Sequence, residues 1–262
     1  MATVYGSDRP RRHWGRRVLI TFIVLLVILG AALAVADRIG ASYAERIIGD
    51  KVAQQVSNQG ATSDKPDVTI EGVPFLTQVA RGRYQEIKIE LRNFAGPAGN
   101  GKTIKMPLLD IRTQNVDAPL STLRSRSGTI VAGTVTGTGT IDYPTVESLV
   151  GQAGVKLSEQ GGKLAVTAPV TVLNQSVTVH GTADLTVRNN VVSLRFDQVT
   201  ADGVPQVPLV QNLLSNYAKR ISIDLRIPQL PLKLVVRKVE PTAAGLVVTA
   251  GANNVPLNAS GV

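Results

Sequence analysis

The segment of this chain that most resembles a chemical motif is GPAGNGKT, from Gly96 to Thr103, which has the letters of a phosphate-binding loop. Such a loop binds phosphate only when a helix begins at its Lys-Thr pair, because the first amides of that helix must face the anion. The next residues alternate as Ile104, Met106 and Leu108, and Pro107 would interrupt a helix in its second turn. We therefore predict a glycine-rich hairpin loop between two strands, and no nucleotide ligand.

Histidine and cysteine offer little further chemistry. The chain has two histidines and no cysteine, which excludes thiol nucleophiles, disulfides and thiolate metal sites. His13 lies in a basic N-terminal cluster, and His180 lies among threonines on the polar face of a predicted strand. A solvated surface histidine is the expected state there, so we predict no metal site.

The carboxylates are the remaining candidates for catalysis. The pairs Glu86/Glu90 and Asp184/Asp197 lie on strand faces that also carry basic residues, which favours solvated surface acids. Their separation in space cannot be read from a sequence, so an acid pair of the glycosidase type stays open as an alternative. We predict a protein that is not an enzyme, with no catalytic residue and no cofactor.

Charge and composition favour an anionic lipid surface over nucleic acid as a partner. The formal net charge is +9, and the first 17 residues contribute +4 of it through five arginines against one aspartate. No later stretch combines clustered Lys or Arg with aromatic residues for base stacking, so nucleic-acid binding is not expected. Modest positive charge suits an anionic lipid surface. Aromatic residues make up only 4% of the chain, so the core must be aliphatic.

The N-terminus predicts membrane targeting. Val18 to Ala36 is 19 residues without a charge, close to the ~20 residues that span a bilayer as a helix. Arginines precede this run and Asp37 follows it, which predicts a cytoplasmic N-terminus and an extracytoplasmic domain. We divide the chain into residues 1–17, 18–36 and 37–262. Ala34-Val35-Ala36 also reads as a cleavage site, so the alternative is a signal peptide and a domain released to the periplasm or cell wall.

The remainder reads as strands with few helices. Apolar residues from Ile39 to Val56 recur at helical spacing, and shorter helices are predicted at Pro144 to Val150 and Pro208 to Lys219. Strand alternation is clear at Ile87, Ile89 and Leu91, and again on both sides of a predicted Asn189-Asn190 turn. One-sided strands with few helices predict the α+β class, with a long curved antiparallel sheet wrapped around a helix.

One predicted strand carries glycines on its buried face. In TIVAGTVTGTGTID the threonines share one face, and the other face carries Val131, Gly133, Val135, Gly137 and Gly139. Glycine there eases curvature and lets another group approach the sheet closely. That group is either an internal helix or a ligand.

Two segments resemble the LmeA family of actinobacterial envelope proteins. They are VTIEGVPFLTQ, from Val68 to Gln78, with its G-x-P-F-L-T-Q core, and the C-terminal IPQLPLKLVVRKVEPTAAGLVVTAGANNVPL. With the anchor and first helix, the likeness covers Val18 to Leu257. The resemblance implies a fold similar to the tubular lipid-binding proteins, and a phospholipid-binding periplasmic or cell-wall protein linked in mycobacteria to lipomannan elongation.

The expected ligand is therefore a phospholipid or another acyl chain, bound on aliphatic inward faces with arginines at the rim. Our candidate contacts are Phe75, Leu76, Arg81, Arg83 and the five buried-face residues from Val131 to Gly139, although Phe75 and Leu76 fit a core corner equally well. The expected partners are the plasma membrane and a membrane mannosyltransferase. The rival hypotheses are a scaffold for such a glycosyltransferase without bound lipid, and an envelope hydrolase.

Overall fold

The chain folds into helices and two antiparallel sheets, which confirms the α+β prediction. The computed structural model describes residues 14–99, 101–125, 128–150, 153–172, 175–188, 191–202, 222–226 and 234–258. The helices are α1 (Trp14–Asn58), α2 (Phe75–Arg81), α3 (Leu120–Ser125) and α4 (Tyr143–Val150). The strands are β1 (Asp67–Glu71), β2 (Arg83–Gly99), β3 (Lys102–Asp117), β4 (Thr129–Ile141), β5 (Lys156–Gln160), β6 (Lys163–Val172), β7 (Gln175–Arg188), β8 (Val191–Ala201), β9 (Ser222–Arg226), β10 (Val235–Thr242) and β11 (Gly245–Asn258).

α1 is one unbroken helix of 45 residues. It holds an 18-residue window of mean hydropathy 3.1, which makes it long and apolar enough for a membrane anchor or a signal sequence. The helix predicted over Ile39 to Val56 is its continuation, because no glycine-proline stop intervenes before Gly60.

The face of α1 that packs on the domain matches the predicted one only in part, because Ile48, Val52 and Val56 are half-buried but the other large residues of the pattern are exposed. Helical spacing predicts burial of the large residues Ile39, Tyr43 and Ile47, but they are 65%, 67% and 42% exposed. The packing face combines Ile48 with small residues, of which Ala41 and Gly49 are buried. A Cβ on Gly49 would lie 3.4 Å from a backbone oxygen of the β1 segment, so small size is what lets the strand approach the helix.

The first sheet has the order β1-β2-β3-β4-β11-β10, and the second has the order β5-β6-β7-β8-β9. The predicted hairpins are confirmed: Gly99 pairs with Lys102, and Arg188 pairs with Val191. α4 confirms the helix predicted at Pro144 to Val150. The helix predicted at Pro208 to Lys219 lies outside the described residues.

The second sheet packs its apolar face against β10, the edge strand of the first. Their shared core buries aliphatic side chains from both sheets and partly buries Tyr143 of α4 beside them. The buried members are Leu164, Val192, Val236, Val239, Leu246 and Ala250.

The first sheet bends along a line across three strands. Asn115 of β3 and Asn254 of β11 both have positive φ (53° and 50°) and both stand beside Gly133 of β4. The register between the strands is unbroken there, but the side-chain alternation shifts by one within β4: Ala132 and Val135 are both buried, at 0% and 1% exposure. Asparagine tolerates the left-handed conformation better than other side chains, which explains its use at the bend.

A second bend lies about eight residues further along the strands. Asn93 of β2 has a φ of 51° and stands opposite Pro107 of β3, which has no amide to donate to the ladder. Leu91 and Phe94, on either side of Asn93, are both withdrawn from solvent. The strip of sheet between the two bends positions the candidate site.

Candidate lipid-contacting site

Between its two bends, the first sheet has one apolar face whose middle is lined by small residues. In one row across the strands Ile89 pairs with Ile111, Ile111 with Gly137, and Gly137 with Ala250. In the next row Leu109 pairs with Gly139. Large aliphatic side chains of β2 and β3 thus flank a low floor on β4, while Ala250 of β11 belongs to the core shared with the second sheet. We call this surface the apolar trough, and it consists of Ile89, Leu109, Ile111, Gly137 and Gly139.

The two glycines of the floor differ in what lies above them. Both are buried. The Met106 sulfur lies 2.6 Å from the position that a Cβ on Gly139 would take, so the flexible Met106 side chain fills that end of the trough. Over Gly137, no atom of the described residues lies within 4 Å of the corresponding position. As far as the described residues define it, the trough has room above Gly137 for another apolar group, either a ligand or another segment of the chain.

The predicted buried face of β4 is correct over only part of its length. Val135, Gly137 and Gly139 are buried as expected. The prediction is wrong for Val131 and Gly133, because the bend at Gly133 shifts the alternation and buries Ala132 instead. The sequence analysis also missed the flanking residues Leu109 and Ile111 of β3, although their alternation with charged neighbours was visible.

The G-x-P-F-L-T-Q motif builds a structural corner. The side-chain amide of Gln78 donates to the carbonyls of Glu71 (3.2 Å) and Gly72 (2.9 Å), and its oxygen accepts the amide of Gln85 at 2.9 Å. One buried glutamine therefore ties the end of β1 to the start of β2. Gly72 adopts a φ of 97°, which a residue with a side chain rarely takes.

The next side chains of the motif attach α2 to α1. Phe75 is 7% exposed, and its ring centroid lies 6.3 Å from that of Tyr84, so the structure places Phe75 in the core. Asp37 of α1 accepts the amide of Leu76 on Oδ1 at 2.7 Å. Hydrogen bonds from the backbone amides of Leu76 and Phe75 hold the pKa of Asp37 below its usual value. Leu76 itself is 41% exposed.

Arg81 and Arg83 lie on either side of Gly82, beyond the bend at Gly133 and outside the trough. Both are exposed. Arg83 forms an ion pair with Asp117 at 3.1 Å, while Arg81 has no ion pair within the part of the chain that the structure describes. They lie at the end of the first sheet that carries α2, so the structure does not bring them to the trough.

The outer face of β2 and β3 is a ladder of ion pairs. Lys88 contacts Glu90 at 2.5 Å, and Arg112 lies 3.6 Å from Glu86. The hydrogen bond from Lys88 is the main cause of the lowered pKa of Glu90. A glycosidase general acid needs the opposite shift, because it must keep its proton near neutral pH. This arrangement fits solvated structural acids.

His180 is the one candidate base in the described domain, and it has a hydroxyl and a carboxylate beside it. Thr167 Oγ1 lies 3.1 Å from its Nδ1, and Asp202 Oδ2 lies 3.1 Å from its Nε2. β6 pairs with strands on both sides at Thr167, so the surrounding amides belong to the sheet and cannot stabilise an oxyanion.

The second predicted pair of acids, Asp184 and Asp197, is described only at Asp184. That carboxylate forms an ion pair with Lys163 at 3.3 Å, and the side chain of Asp197 lies outside the described residues.

The described residues of GPAGNGKT lie at the end of β2 and the start of β3, which pair as the predicted hairpin. The Nζ of Lys102 donates to the carbonyls of Ser148 (3.0 Å) and Leu149 (2.7 Å), so it caps the C-terminal end of α4.

Two open cavities lie elsewhere on the first sheet. One of about 380 Å³ lies at the end of the β2–β3 hairpin, and another of about 770 Å³ lies beside Arg237 at the ends of β10 and β11. Both lie outside the trough. Over the ranges described, no three His, Asp or Glu side chains are grouped to hold a metal ion.

Comparison with known proteins gives one match. A family model described as LmeA-like phospholipid-binding matches residues 35–251. No curated protein and no solved structure matches the chain. The matched range is most of the chain and includes the corner motif and every residue of the apolar trough.

Proposed function

The chain belongs to the LmeA-like phospholipid-binding family, and from this premise we propose that it holds a phospholipid acyl chain in the apolar trough. The protein binds lipid without transforming it, at the outer face of the plasma membrane. Lipid binding there would support synthesis of an envelope glycolipid of the lipomannan type.

The observation that carries this proposal is the space over Gly137. A buried glycine on an apolar face, with no described atom within 4 Å of its Cβ position, is a place where a slim apolar group fits. Ile89, Leu109 and Ile111 remain half-buried around it, so they retain surface for contact. Each CH₂ group of an acyl chain buried against them contributes about 0.8 kcal/mol.

The trough occupies the middle of a strip of sheet that is long enough for one acyl chain. The strip runs from Pro107 to Asn115 on β3, which is about 26 Å at roughly 3.3 Å per residue. One leaflet of a bilayer core is about 15 Å deep, which is the span of a single acyl chain. Met106 at one end can adjust to chain length because its side chain is unbranched and flexible.

α1 supports a retained anchor over a cleaved signal peptide. The helix runs unbroken through Ala34 and Ala36 into Asp37, which is 6% exposed and holds α2. By the positive-inside rule, the arginines before the span support a domain outside the cytoplasm. A membrane mannosyltransferase is the partner that this location and role would require.

The proposal is tested by photocrosslinking with a phosphatidylglycerol that carries a diazirine on its acyl chain. The full chain is placed in nanodiscs containing this lipid, irradiated and mapped by peptide mass spectrometry. Lipid around the anchor labels α1 in every case, so label on α1 is the internal reference. Label on β2, β3 and β4 is the expected result for a lipid in the trough.

The opposite result is equally informative. Label confined to α1, with the domain folded, would refute the trough as a lipid site and favour a scaffold that binds a glycosyltransferase without lipid.

A further inference from the structure

The end of the first sheet that carries α2 lies beside the point where α1 leaves its apolar run. We propose that this end docks onto the outer leaflet of an anionic bilayer through Val73, Leu76 and Leu120. The inference rests on the proposed function only in taking α1 as a membrane anchor. It is independent of whether a lipid occupies the trough.

Contacts along α1 fix the direction of the domain relative to the span. The amide of Ile70 donates to Glu45 at 2.9 Å, while Pro66 lies against Gly49. β1 therefore runs back along α1 towards the membrane. Its continuation reaches α2, whose Leu76 amide bonds to Asp37, the first residue after the apolar run.

Aromatic residues indicate how deep this junction lies. Trp14 and Tyr43 of α1 are 68% and 67% exposed, and 29 helical residues separate them by about 43 Å. A bilayer with its head groups is about 40–45 Å thick, and Trp and Tyr favour its two interfaces. Tyr43 therefore marks the outer interface, and the exposed Ile39 lies on the membrane side of it.

The level of Leu76 follows from the same helix. A Cβ on Gly40 would lie 3.7 Å from Leu76 Cδ2, so Leu76 is level with the turn from Asp37 to Gly40. That turn is three to six residues closer to the membrane than Tyr43, or about 5–9 Å at 1.5 Å per residue. Leu76 thus lies within the head-group region when Tyr43 lies at its outer edge.

The side chains exposed at this end suit that environment. Val73 and Leu120 are 69% and 54% exposed. The amide of Ala118, two residues before Leu120, donates to the carbonyl of Gly82 at 2.8 Å, which places α3 at the end of α2. Arg81 and Arg124 are exposed on the same two helices and complement anionic head groups. We therefore take an anionic bilayer as the partner of this surface, because the apolar side chains suit its interior and the arginines suit its head groups.

The chain has no cysteine, so a single introduced cysteine reports one position. Val73→Cys, Leu76→Cys and Leu120→Cys are made in the full chain, labelled with an environment-sensitive fluorophore and placed in nanodiscs of phosphatidylcholine and phosphatidylglycerol. Lipids with a nitroxide on the head group then quench any label at the interface. Thr103→Cys, at the opposite end of β3, is the matched control.

We expect quenching at the three apolar positions and none at Thr103. Equal quenching at all four positions would overturn the proposal. A blue-shifted but unquenched label would also overturn it, because the surface would then bind a second copy or another protein.

A second variant tests whether the apolar side chains cause the docking. Val73→Ser with Leu76→Ser alters only exposed positions, so the fold should survive. We expect a loss of quenching for a label at Leu120→Cys in this background, and unchanged quenching would count against the proposal. Trough occupancy is read separately by photocrosslinking, so failure of docking and failure of lipid binding are distinguishable.

Discussion

Replacing Gly137 by leucine should close the apolar trough without unfolding the sheet. Gly137 has ordinary extended backbone, and no described atom stands within 4 Å of its Cβ position, so a side chain can be accommodated there. Glycine in a strand costs stability relative to residues with a side chain. The folded state of Gly137→Leu should therefore be at least as stable as the native chain.

The loss of lipid affinity can be worked out from the volume of the new side chain. Leucine adds four carbons over the floor of the trough, which displace about four CH₂ groups of a bound acyl chain. At about 0.8 kcal/mol for each group the loss is about 3 kcal/mol, which is roughly 150-fold in Kd.

The assay is the photocrosslinking experiment, quantified as label on β2 to β4 relative to label on α1. We expect Gly137→Leu to lose the strand label and keep the anchor label. Thr138→Leu is the matched control, because it places the same side chain on the same strand but on the outer face, opposite Asp110. Retention of full strand label by a folded Gly137→Leu protein would refute the trough as the lipid site.

Three further predictions concern the structure that holds the trough. The pKa of Asp37 is lowered in the folded state. Its stabilising hydrogen bond is therefore present above about pH 4 and is lost as the pH falls below that value. Asp37→Asn should remove this dependence, so that the Tm of the variant changes less than that of the native chain between about pH 5 and 3. Gln78→Leu removes three hydrogen bonds at the corner, and should lower the free energy of unfolding by about 3 kcal/mol in denaturant titrations. Asn115→Val forces a β-branched residue into the left-handed region and should lower the free energy of unfolding by about 1–2 kcal/mol. Asn115→Gly should leave it nearly unchanged. Equal losses in the two variants would contradict the assignment of a left-handed backbone at Asn115.

The positions of the strands were the most predictable feature, because a sheet with one solvated face requires apolar and charged residues to alternate along each strand. The stretch around Ile87 to Leu91 shows this, and the structure keeps its charged partners in ion pairs on the outer side. Turn residues were equally informative. The hairpin at Gly101 was predicted because a proline in the next strand excluded the helix that a phosphate loop requires.

The bends were not predicted, although the signal was present. Asn93, Asn115 and Asn254 stand in the middle of long strands, where asparagine is unfavourable. Such a residue indicates a left-handed position, and each one shifts the alternation beyond it. A pattern read straight through Gly133 therefore assigned Val131 to the wrong face.

The packing face of α1 was mispredicted at Ile39, Tyr43 and Ile47 for a different reason. Hydrophobic periodicity assumes that large apolar side chains are buried, which holds for a helix surrounded by water. Where a helix emerges from a membrane, Ile39 and Tyr43 can face lipid while Ala41 and Gly49 face the protein. Small residues at helical spacing were the usable signal there, as they are between helices inside a bilayer.

The lipid site itself also has a weak sequence signal. A motif of particular side chains is required where hydrogen bonds must be made, and the G-x-P-F-L-T-Q segment proves to be such a motif, serving the corner between β1, β2 and α1. An acyl chain requires only apolar volume that the protein has left unfilled, which any combination of large and small aliphatic residues can provide. The residue that identifies such a site is therefore one without a side chain. The sequence places Gly137 among the candidates, and the structure distinguishes it from Gly139, which lies under Met106.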